Sequence, residues 1–209
     1  MDVITDVKRE RGKFRITVNG SETILVPLAL FRERPLEEGA PIDLEAYDQW
    51  LMVRQYRFAL DRAVAALAAR PCSRKEIEDK LKRIGYRPCT IEMVLYKLER
   101  EHLLDDGDFA RQWVAARARH GLGRQRIAQE LKQKGITADE AEEALADMDE
   151  EEQIHQAALL AEKALRRAKA GEEPRKTAAR ILAMLSRRGF GYGIAKEALE
   201  RAREELTGK

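Results

Sequence analysis

The segment Gly123–Gly135, GRQRIAQELKQKG, decides how the rest of the chain is interpreted, because its pattern occurs three times. Fifty residues earlier, Ser73–Gly85 reads SRKEIEDKLKRIG, and 54 residues later Thr177–Gly189 reads TAARILAMLSRRG. The three segments align without gaps and carry isoleucine, leucine and glycine at the same positions, four residues apart. Repetition at this period indicates an array of similar supersecondary units.

Each segment has the pattern of one amphipathic helix. Isoleucine and leucine four residues apart lie on one helix face, and the glycine can take the left-handed conformation that closes the last turn. These structural positions are Ile77, Leu81 and Gly85; Ile127, Leu131 and Gly135; and Ile181, Leu185 and Gly189. Ser73 and Thr177 are favourable N-caps for their helices, and Gly123 is a permitted one.

A second helix follows each segment and a longer helix precedes it. The sixth, ninth and tenth residues after each glycine are apolar: Ile91, Val94 and Leu95; Ala141, Ala144 and Leu145; Ala195, Ala198 and Leu199. The preceding helices are predicted at Arg57–Ala69, Phe109–His120 and Gln153–Lys169. The predicted fold is therefore mainly α, a tandem array of three three-helix repeats, each like a helix-turn-helix, stacked into an elongated curved shape. The predicted domains are a linker helix with the first repeat at 44–104, the second repeat at 105–149 and the third at 150–209.

Residues 1–43 form a separate N-terminal element with a different pattern. Apolar residues alternate with polar ones at Val3, Val7, Phe14, Ile16, Val18, Ile24 and Val26, which is typical of half-buried strands. Asn19-Gly20 suits a two-residue hairpin turn, and Arg11-Gly12 marks the other bend. We predict a small three-stranded antiparallel β-meander, then a connector with a short helical turn at 28–43, with Asp43 as the N-cap of the next helix.

The charge balance hides blocks of opposite sign. The 209 residues carry 39 Lys+Arg and 37 Asp+Glu, but residues 70–134 have a net charge of +6, residues 135–174 of −8 and residues 175–209 of +5. The 36% of charged residues indicates a large solvated surface and disfavours a compact enzyme around one deep pocket. Neither a membrane span nor a signal peptide is evident, so we expect a cytoplasmic protein.

The basic residues concentrate on the middle helices and on the ends of the first ones. We predict that they form one partner-binding or DNA-binding face, made of Arg74, Lys75, Lys82, Arg83, Arg117, Arg119, Arg124, Arg126, Lys132, Lys134, Arg187 and Arg188. The alternative hypothesis is a stand-alone helix-turn-helix DNA-binding protein, with Thr90–Glu101 as its reading helix. The second helices are acidic, which disfavours their insertion next to phosphates.

No catalytic or metal-binding pattern is evident. Asp105-Asp106-Gly107-Asp108 lacks the further oxygen ligands of a calcium loop, so these carboxylates are predicted to cap the helix that carries Phe109 and Trp113, both core residues. Nucleophile, P-loop, zinc and dinucleotide motifs are missing. We therefore predict no enzyme activity, no metal, no cofactor and no small-molecule substrate.

One long segment nevertheless resembles a known family. Leu103–Arg117, LLDDGDFARQWVAAR, continued by Gly121–Ile136, GLGRQRIAQELKQKGI, closely resembles the central motif of the RecX family of bacterial regulatory proteins. Ala63–Leu98 and Arg187–Tyr192 are similar to the corresponding repeats, so the resemblance covers residues 56–205.

The resemblance implies a non-enzymatic regulator of the RecA recombinase, acting in recombination, DNA repair and the SOS response. A RecX-like protein is expected to bind the RecA–DNA filament and to inhibit its ATP hydrolysis, strand exchange and extension. Single- or double-stranded DNA is a second expected contact. The resemblance does not extend to the β-meander and does not say which basic residues contact RecA and which contact DNA.

Overall fold

The computed structural model describes residues 2–168 and 173–208, and it divides the chain into two compact units. The first unit ends at Asp105 and the second begins at Asp106. The first contains the N-terminal strands and one three-helix repeat, and the second contains the other two repeats. The predicted boundaries between the meander and the first repeat, and between the second and third repeats, stay predictions.

The N-terminal element is a sheet of four strands rather than three. Strands β1 (Asp2–Glu10), β2 (Lys13–Val18) and β3 (Glu22–Pro27) form the predicted antiparallel meander, and helix α1 (Leu28–Glu33) follows. A two-residue strand, β4 (Pro41–Ile42), then pairs antiparallel with β1, which gives the order β3-β2-β1-β4. So short a strand has no visible alternation, and its proline is more typical of a connector, so the sequence pattern does not reveal it.

The turn between β2 and β3 differs in length from the predicted one. Asn19 and Gly20 take the expected positive φ, 53° and 74°. However, Val18 pairs with Glu22, so the loop has three residues instead of two. Ser21 is the extra residue, and its backbone N–H donates to the carbonyl of Val18 at 3.2 Å. The bend at Arg11-Gly12 has two residues, because Glu10 pairs with Lys13.

The three repeats each contain three helices. The first repeat comprises α2 (Leu44–Ala69), α3 (Arg74–Ile84) and α4 (Pro88–Arg100); the second α5 (Asp106–Arg119), α6 (Arg124–Gln133) and α7 (Ala138–Ala146); the third α8 (Glu150–Arg166), α9 (Pro174–Arg187) and α10 (Tyr192–Thr207). The predicted linker helix and Arg57–Ala69 are one continuous helix, α2, whose N-cap is Asp43 as predicted. Helix α8 begins three residues before the predicted Gln153, and the predicted end of that helix, Lys169, lies outside the described residues.

The repeated leucine, isoleucine and glycine have the predicted roles. All six isoleucine and leucine side chains of the pattern are at most 1% exposed. Gly85, Gly135 and Gly189 have φ of 98°, 84° and 89°, in the left-handed region that closes the middle helices. The middle helices therefore have the same left-handed glycine after the C-terminal turn and the same buried face in all three copies.

The N-caps of the middle helices differ between the copies, and one prediction is wrong. Ser73 caps α3 in a capping box with Glu76, and Gly123 is the N-cap of α6, both as predicted. Thr177 is not the N-cap of α9, because Pro174 at the first helical position starts the helix earlier and makes Glu173 the N-cap. Thr177 instead lies inside the helix, where its hydroxyl donates to the Glu173 carbonyl at 3.3 Å.

The sheet and the first repeat share one hydrophobic core. Ile4, Ile16 and Val26 of the sheet belong to the same buried cluster as Leu51 of α2 and Leu95 of α4. The second and third repeats have separate clusters, around Ile127 and Leu131 and around Ile181 and Leu185. The N-terminal strands therefore complete the core of the first unit.

A buried glutamine of α2 helps to start α4 in the first unit. Gln55 is fully buried, and its Oε1 accepts a hydrogen bond from the backbone N–H of Arg87 at 3.0 Å and one from the Thr90 hydroxyl at 3.4 Å. Arg87 is the N-cap of α4 and has no side-chain cap of its own. Gln55 therefore accepts, from another helix, the N-cap N–H that the N3 side chain accepts in a capping box, as Glu76 does for Ser73.

Gln55→Leu is expected to lower the stability of the first unit by about 1 kcal/mol, because it leaves the partly buried backbone N–H of Arg87 without its acceptor. Denaturant unfolding followed by circular dichroism measures the change. Gln49→Leu, on an exposed position of the same helix, is the matched control and should change stability by less than about 0.5 kcal/mol. Equal effects of the two substitutions would contradict the capping role of Gln55.

Candidate partner-binding surface

Two of the predicted basic residues in the first repeat form ion pairs within that repeat. Arg74 joins α3 to α4, with its Nε 2.7 Å from Glu99 Oε1 and its Nη2 2.8 Å from Glu92 Oε2. Lys82 forms an ion pair with Glu78 one helical turn away. Lys75 and Arg83 are exposed. The two acidic residues of α4 therefore offset the charge of Arg74, so this repeat presents less positive charge than its sequence suggests.

In the second repeat, two predicted binding residues enclose a tryptophan. The Arg117 guanidinium carbon and the Lys134 Nζ each lie 4.3 Å from the centre of the Trp113 ring. The Trp113 Nε1–H donates to Glu130 Oε2 at 3.2 Å, and Arg117 Nε is 2.8 Å from the same oxygen. Phe109 stacks on Trp113 with ring centres 5.6 Å apart and is buried, as predicted, whereas Trp113 is half-buried. Cation–π contacts thus occupy the ring that could otherwise stack on a base.

Three further basic residues of the second repeat also have partners within the protein. Arg124 donates from Nη1 to the Leu145 carbonyl at 2.6 Å, near the end of α7. Arg126 lies 3.6 Å from Glu130 and donates to Gln129, and Arg119 donates from Nε to the carbonyl of Ala115 at 3.1 Å. Lys132 is exposed. Glu130, which was not among the predicted site residues, therefore organises three cations or donors; its four-residue spacing from Arg126 is the visible sequence signal.

The second and third repeats are joined by backbone contacts between two glycines. The N–H of Gly123 donates to the carbonyl of Arg188 at 2.9 Å, and the N–H of Gln125 donates to the carbonyl of Gly189 at 3.1 Å. A Cβ atom at Gly123 would lie 2.4 Å from the Gly189 carbonyl, and one at Gly189 would lie 2.3 Å from the Arg126 nitrogen. Gly123 has no side chain to accept hydrogen bonds at the start of α6, so the carbonyls at the end of α9 act as the capping acceptors. A side chain at Gly123 or Gly189 would push the two helix ends apart.

Arg188 takes part in the contact between the second and third repeats, whereas Arg187 does not. Arg188 is half-buried and donates from Nη1 to the Gly121 carbonyl at 3.3 Å. Arg187 is exposed and forms no ion pair or hydrogen bond with residues 2–168 or 173–208 through its side chain. Arg83 and Lys132 share this property within the same ranges. These three cations are the members of the predicted basic face that the described structure leaves to solvent.

The acidic cluster at the start of α5 lies at a helix N-terminus. Asp106 and Asp108 are in the first turn of α5, directly after Asp105. Carboxylates there are stabilised by the positive end of the helix dipole, as predicted. In the described part of the chain, no group of three or more His, Cys, Asp or Glu side chains is arranged to hold a metal ion. Among these same residues, no helix has the length and apolar character needed to cross a membrane.

Comparison with known proteins assigns the three repeats to one family. The model of the first RecX three-helix domain matches residues 59–98, that of the second matches 105–145 and that of the third matches 150–199. The chain is 46% identical over 104 residues to the regulatory protein RecX of Prosthecochloris aestuarii, covering 49% of this chain and 69% of that protein. It is 33% identical over 192 residues to that of Mycobacteroides abscessus, covering 90% and 88% of the two chains.

Solved structures give the same fold. A crystal structure of regulatory protein RecX matches with a TM-score of 0.66 and 24% identity, covering 94% of this chain and 98% of that chain. The crystal structure of RecX from Lactobacillus salivarius matches with the same TM-score and 26% identity, covering 71% and 96%. With three matched repeat domains and relatives above 30% identity along most of their length, the chain belongs to the RecX family of regulatory proteins.

Proposed function

We propose that this protein binds the RecA–DNA filament and inhibits its ATP hydrolysis, strand exchange and extension, and so regulates recombination, DNA repair and the SOS response in the cytoplasm. The observation that carries the proposal is the threefold repeat of one module within a chain of the RecX family. A filament presents the same subunit surface many times. Several similar modules on one chain can engage neighbouring subunits, and each bound module raises the effective concentration of the next.

The distribution of charge supports a protein partner as well as DNA. The exposed cations Arg83, Lys132 and Arg187 can contact phosphates or acidic side chains. The acidic stretch from Thr137 to Glu152, with nine carboxylates and no Lys or Arg, would repel phosphates. A partner that carries both signs of charge fits this distribution of charge better than DNA alone, because complementary charges set orientation and suppress wrong partners. The proposed action is by binding, without catalysis.

The test is the DNA-dependent ATPase activity of RecA with this protein titrated in. We expect inhibition at or below one molecule of this protein per RecA subunit. An ATPase rate that stays unchanged up to equimolar protein would refute the proposal.

Reversal of two exposed charges should weaken this inhibition without unfolding the protein. The double variant Lys132→Glu/Arg187→Glu is expected to raise the half-inhibitory concentration about tenfold, which corresponds to about 1.4 kcal/mol. The melting temperature should stay within about 2 °C of wild type, since neither side chain has a partner among the described residues. Arg203→Glu, also exposed but outside the predicted face, is the control. Equal inhibition by wild type, the double variant and Arg203→Glu would show that Lys132 and Arg187 do not lie in the interface.

A further inference from the structure

The second unit contains a cavity with an apolar interior. It has a volume of about 370 Å³ and is lined by residues of α5, the end of α7 and the start of α8. Val114, Leu122, Ala144, Met148 and Phe190 form its apolar interior. Cavities of this size with an apolar lining and a few polar groups are typical of binding sites.

The interior and the rim of the cavity differ in solvent exposure. Val114, Ala144 and Phe190 are at most 6% exposed, whereas Arg111, Ala115 and Arg119 on the α5 side are exposed. The exposed carboxylates Asp147, Asp149 and Glu152 line the cavity at the end of α7 and the start of α8. The rim therefore carries both basic and acidic side chains around an accessible apolar pocket.

Two polar groups at the cavity have no partner among the described residues. Gln153, which lines the cavity, is 8% exposed, and its buried Oε1 accepts no hydrogen bond from residues 2–168 or 173–208. A buried amide oxygen without a donor costs free energy. The Asp147 carboxylate is exposed on the rim and forms no ion pair or hydrogen bond with a described residue. Asp149 and Glu152, by contrast, accept hydrogen bonds from the Glu151 N–H and the Gln156 amide.

We propose that this cavity is a docking site for a protein segment in which a large apolar side chain, such as phenylalanine, is flanked by lysine or arginine. The apolar side chain enters between Val114, Met148 and Phe190, and the flanking cation pairs with Asp147. Interface anchors of this kind combine a buried apolar side chain with a polar rim, and the flexible side chain of Met148 can adapt to the anchor.

Charge decides in favour of a protein segment over nucleic acid as the occupant. The lining carries three carboxylates and two arginines, and both arginines already have partners: Arg111 pairs with Asp108 at 3.6 Å, and Arg119 donates to the Ala115 carbonyl. The three carboxylates therefore repel phosphates, whereas they attract the cation next to an apolar anchor. The proposal rests on the proposed function in one respect only, namely that the segment belongs to RecA. In that case the acidic stretch from Thr137 to Glu152 contacts RecA. This stretch would have no role in a protein that bound only DNA.

The first experiment blocks the cavity or reverses its rim in the full-length protein. Ala115→Trp, at an exposed helical position on the rim, places an indole over the opening, and Asp147→Lys reverses the unpaired charge. Because Asp147 is the C-cap of α7, a lysine there suits the helix dipole and should not unfold the protein. Ala183→Trp and Glu142→Lys, exposed positions outside the cavity, are the matched controls. We expect a rise of about tenfold or more in the half-inhibitory concentration against RecA for the two cavity variants only. Wild-type inhibition by both folded cavity variants would overturn the proposal.

The second experiment needs no RecA and separates this proposal from the proposed function. The peptide Ac-Lys-Phe-Lys-NH2 is titrated into the 15N-labelled full chain, and the amide signals of Leu122 and Met148 are followed by NMR. We expect saturable shifts that Ala115→Trp abolishes and that Ac-Glu-Phe-Glu-NH2 and Ac-Lys-Ala-Lys-NH2 fail to produce. Peptide binding by a protein that does not inhibit RecA would refute the proposed function and keep the docking site. The absence of saturable shifts, or a wild-type dimer that Ala115→Trp dissociates, would overturn the docking site.

Discussion

Gly189→Ala is expected to destabilise the second unit by about 3 kcal/mol, through two effects that add. The new side chain would have to adopt a φ of 89°, which costs about 1–2 kcal/mol for a residue other than glycine. Its Cβ would also lie 2.3 Å from the Arg126 nitrogen, so the junction must shift, and overpacking of this kind costs about 1–3 kcal/mol. The hydrogen bond from the Gln125 N–H to the Gly189 carbonyl would be lost or weakened with it.

The measurement is denaturant unfolding followed by the fluorescence of Trp113, in a Trp50→Phe background. The chain has two tryptophans, one in each unit, so Trp113 alone reports on the second unit. Gly12→Ala is the matched control, because Gly12 has a φ of 83° and no atom of the described residues lies within 4 Å of the added Cβ. It should leave the Trp113 transition of the second unit unchanged and cost only the conformational part, about 1–2 kcal/mol, in the first unit, which circular dichroism follows. A Gly189→Ala protein as stable as wild type would rule out the close backbone contact.

Leu131→Ala is expected to cost about 2–5 kcal/mol, again in the second unit, because the Leu131 side chain is fully buried. Leu81 and Leu185 occupy the same position in the other repeats and are also fully buried. Their alanine variants should lose stability in the same range, Leu81→Ala in the first unit and Leu185→Ala in the second. Circular dichroism and Trp113 fluorescence together assign each loss to its unit.

Leu159→Ala provides the comparison for these core deletions. Leu159 is 46% exposed and lies in α8, within the second unit. Its removal should cost less than about 1 kcal/mol, since little apolar surface is uncovered. If Leu131→Ala were no more harmful than Leu159→Ala, the repeated leucine would not be a core position.

The repeated helices could be predicted from the sequence because their determinants are local. Isoleucine and leucine four residues apart and the terminal glycine act within one helix, so the pattern alone contains the information. Thr177 shows the limit of this reasoning. Aligned with Ser73 it has the residue type of an N-cap, but Pro174 is a stronger start signal, and it moves the beginning of α9 towards the N-terminus.

Features that depend on distant residues could not be predicted in the same way. The strand Pro41–Ile42 forms only because β1 offers its free edge. The Gly123 N-cap looks weak in the sequence, yet the carbonyls of Arg188 and Gly189, more than sixty residues later, complete it. No periodic pattern records such a contact, because the partner residues are set by how two repeats pack.

The basic face was the least predictable part, since charge counts do not show which cations have partners. Arg124 bonds a carbonyl 21 residues away, and Arg74 meets carboxylates 18 and 25 residues away. The sequence shows that these residues are basic, but it does not show that they have partners within the protein. Only the structure separates them from Arg83, Lys132 and Arg187, which are therefore the better candidates for intermolecular contact.

The most direct test of filament recognition is to compare the affinity of this protein for a RecA filament on single-stranded DNA with its affinity for the same DNA alone, at several salt concentrations. We expect binding to the filament to be tighter by about 100-fold or more, because several repeats engage the repeating partner together. We also expect a shallower salt dependence than that of a protein held mainly by phosphate contacts. Equal or tighter binding to DNA alone, with a steep salt dependence, would contradict filament recognition and favour a stand-alone DNA-binding protein.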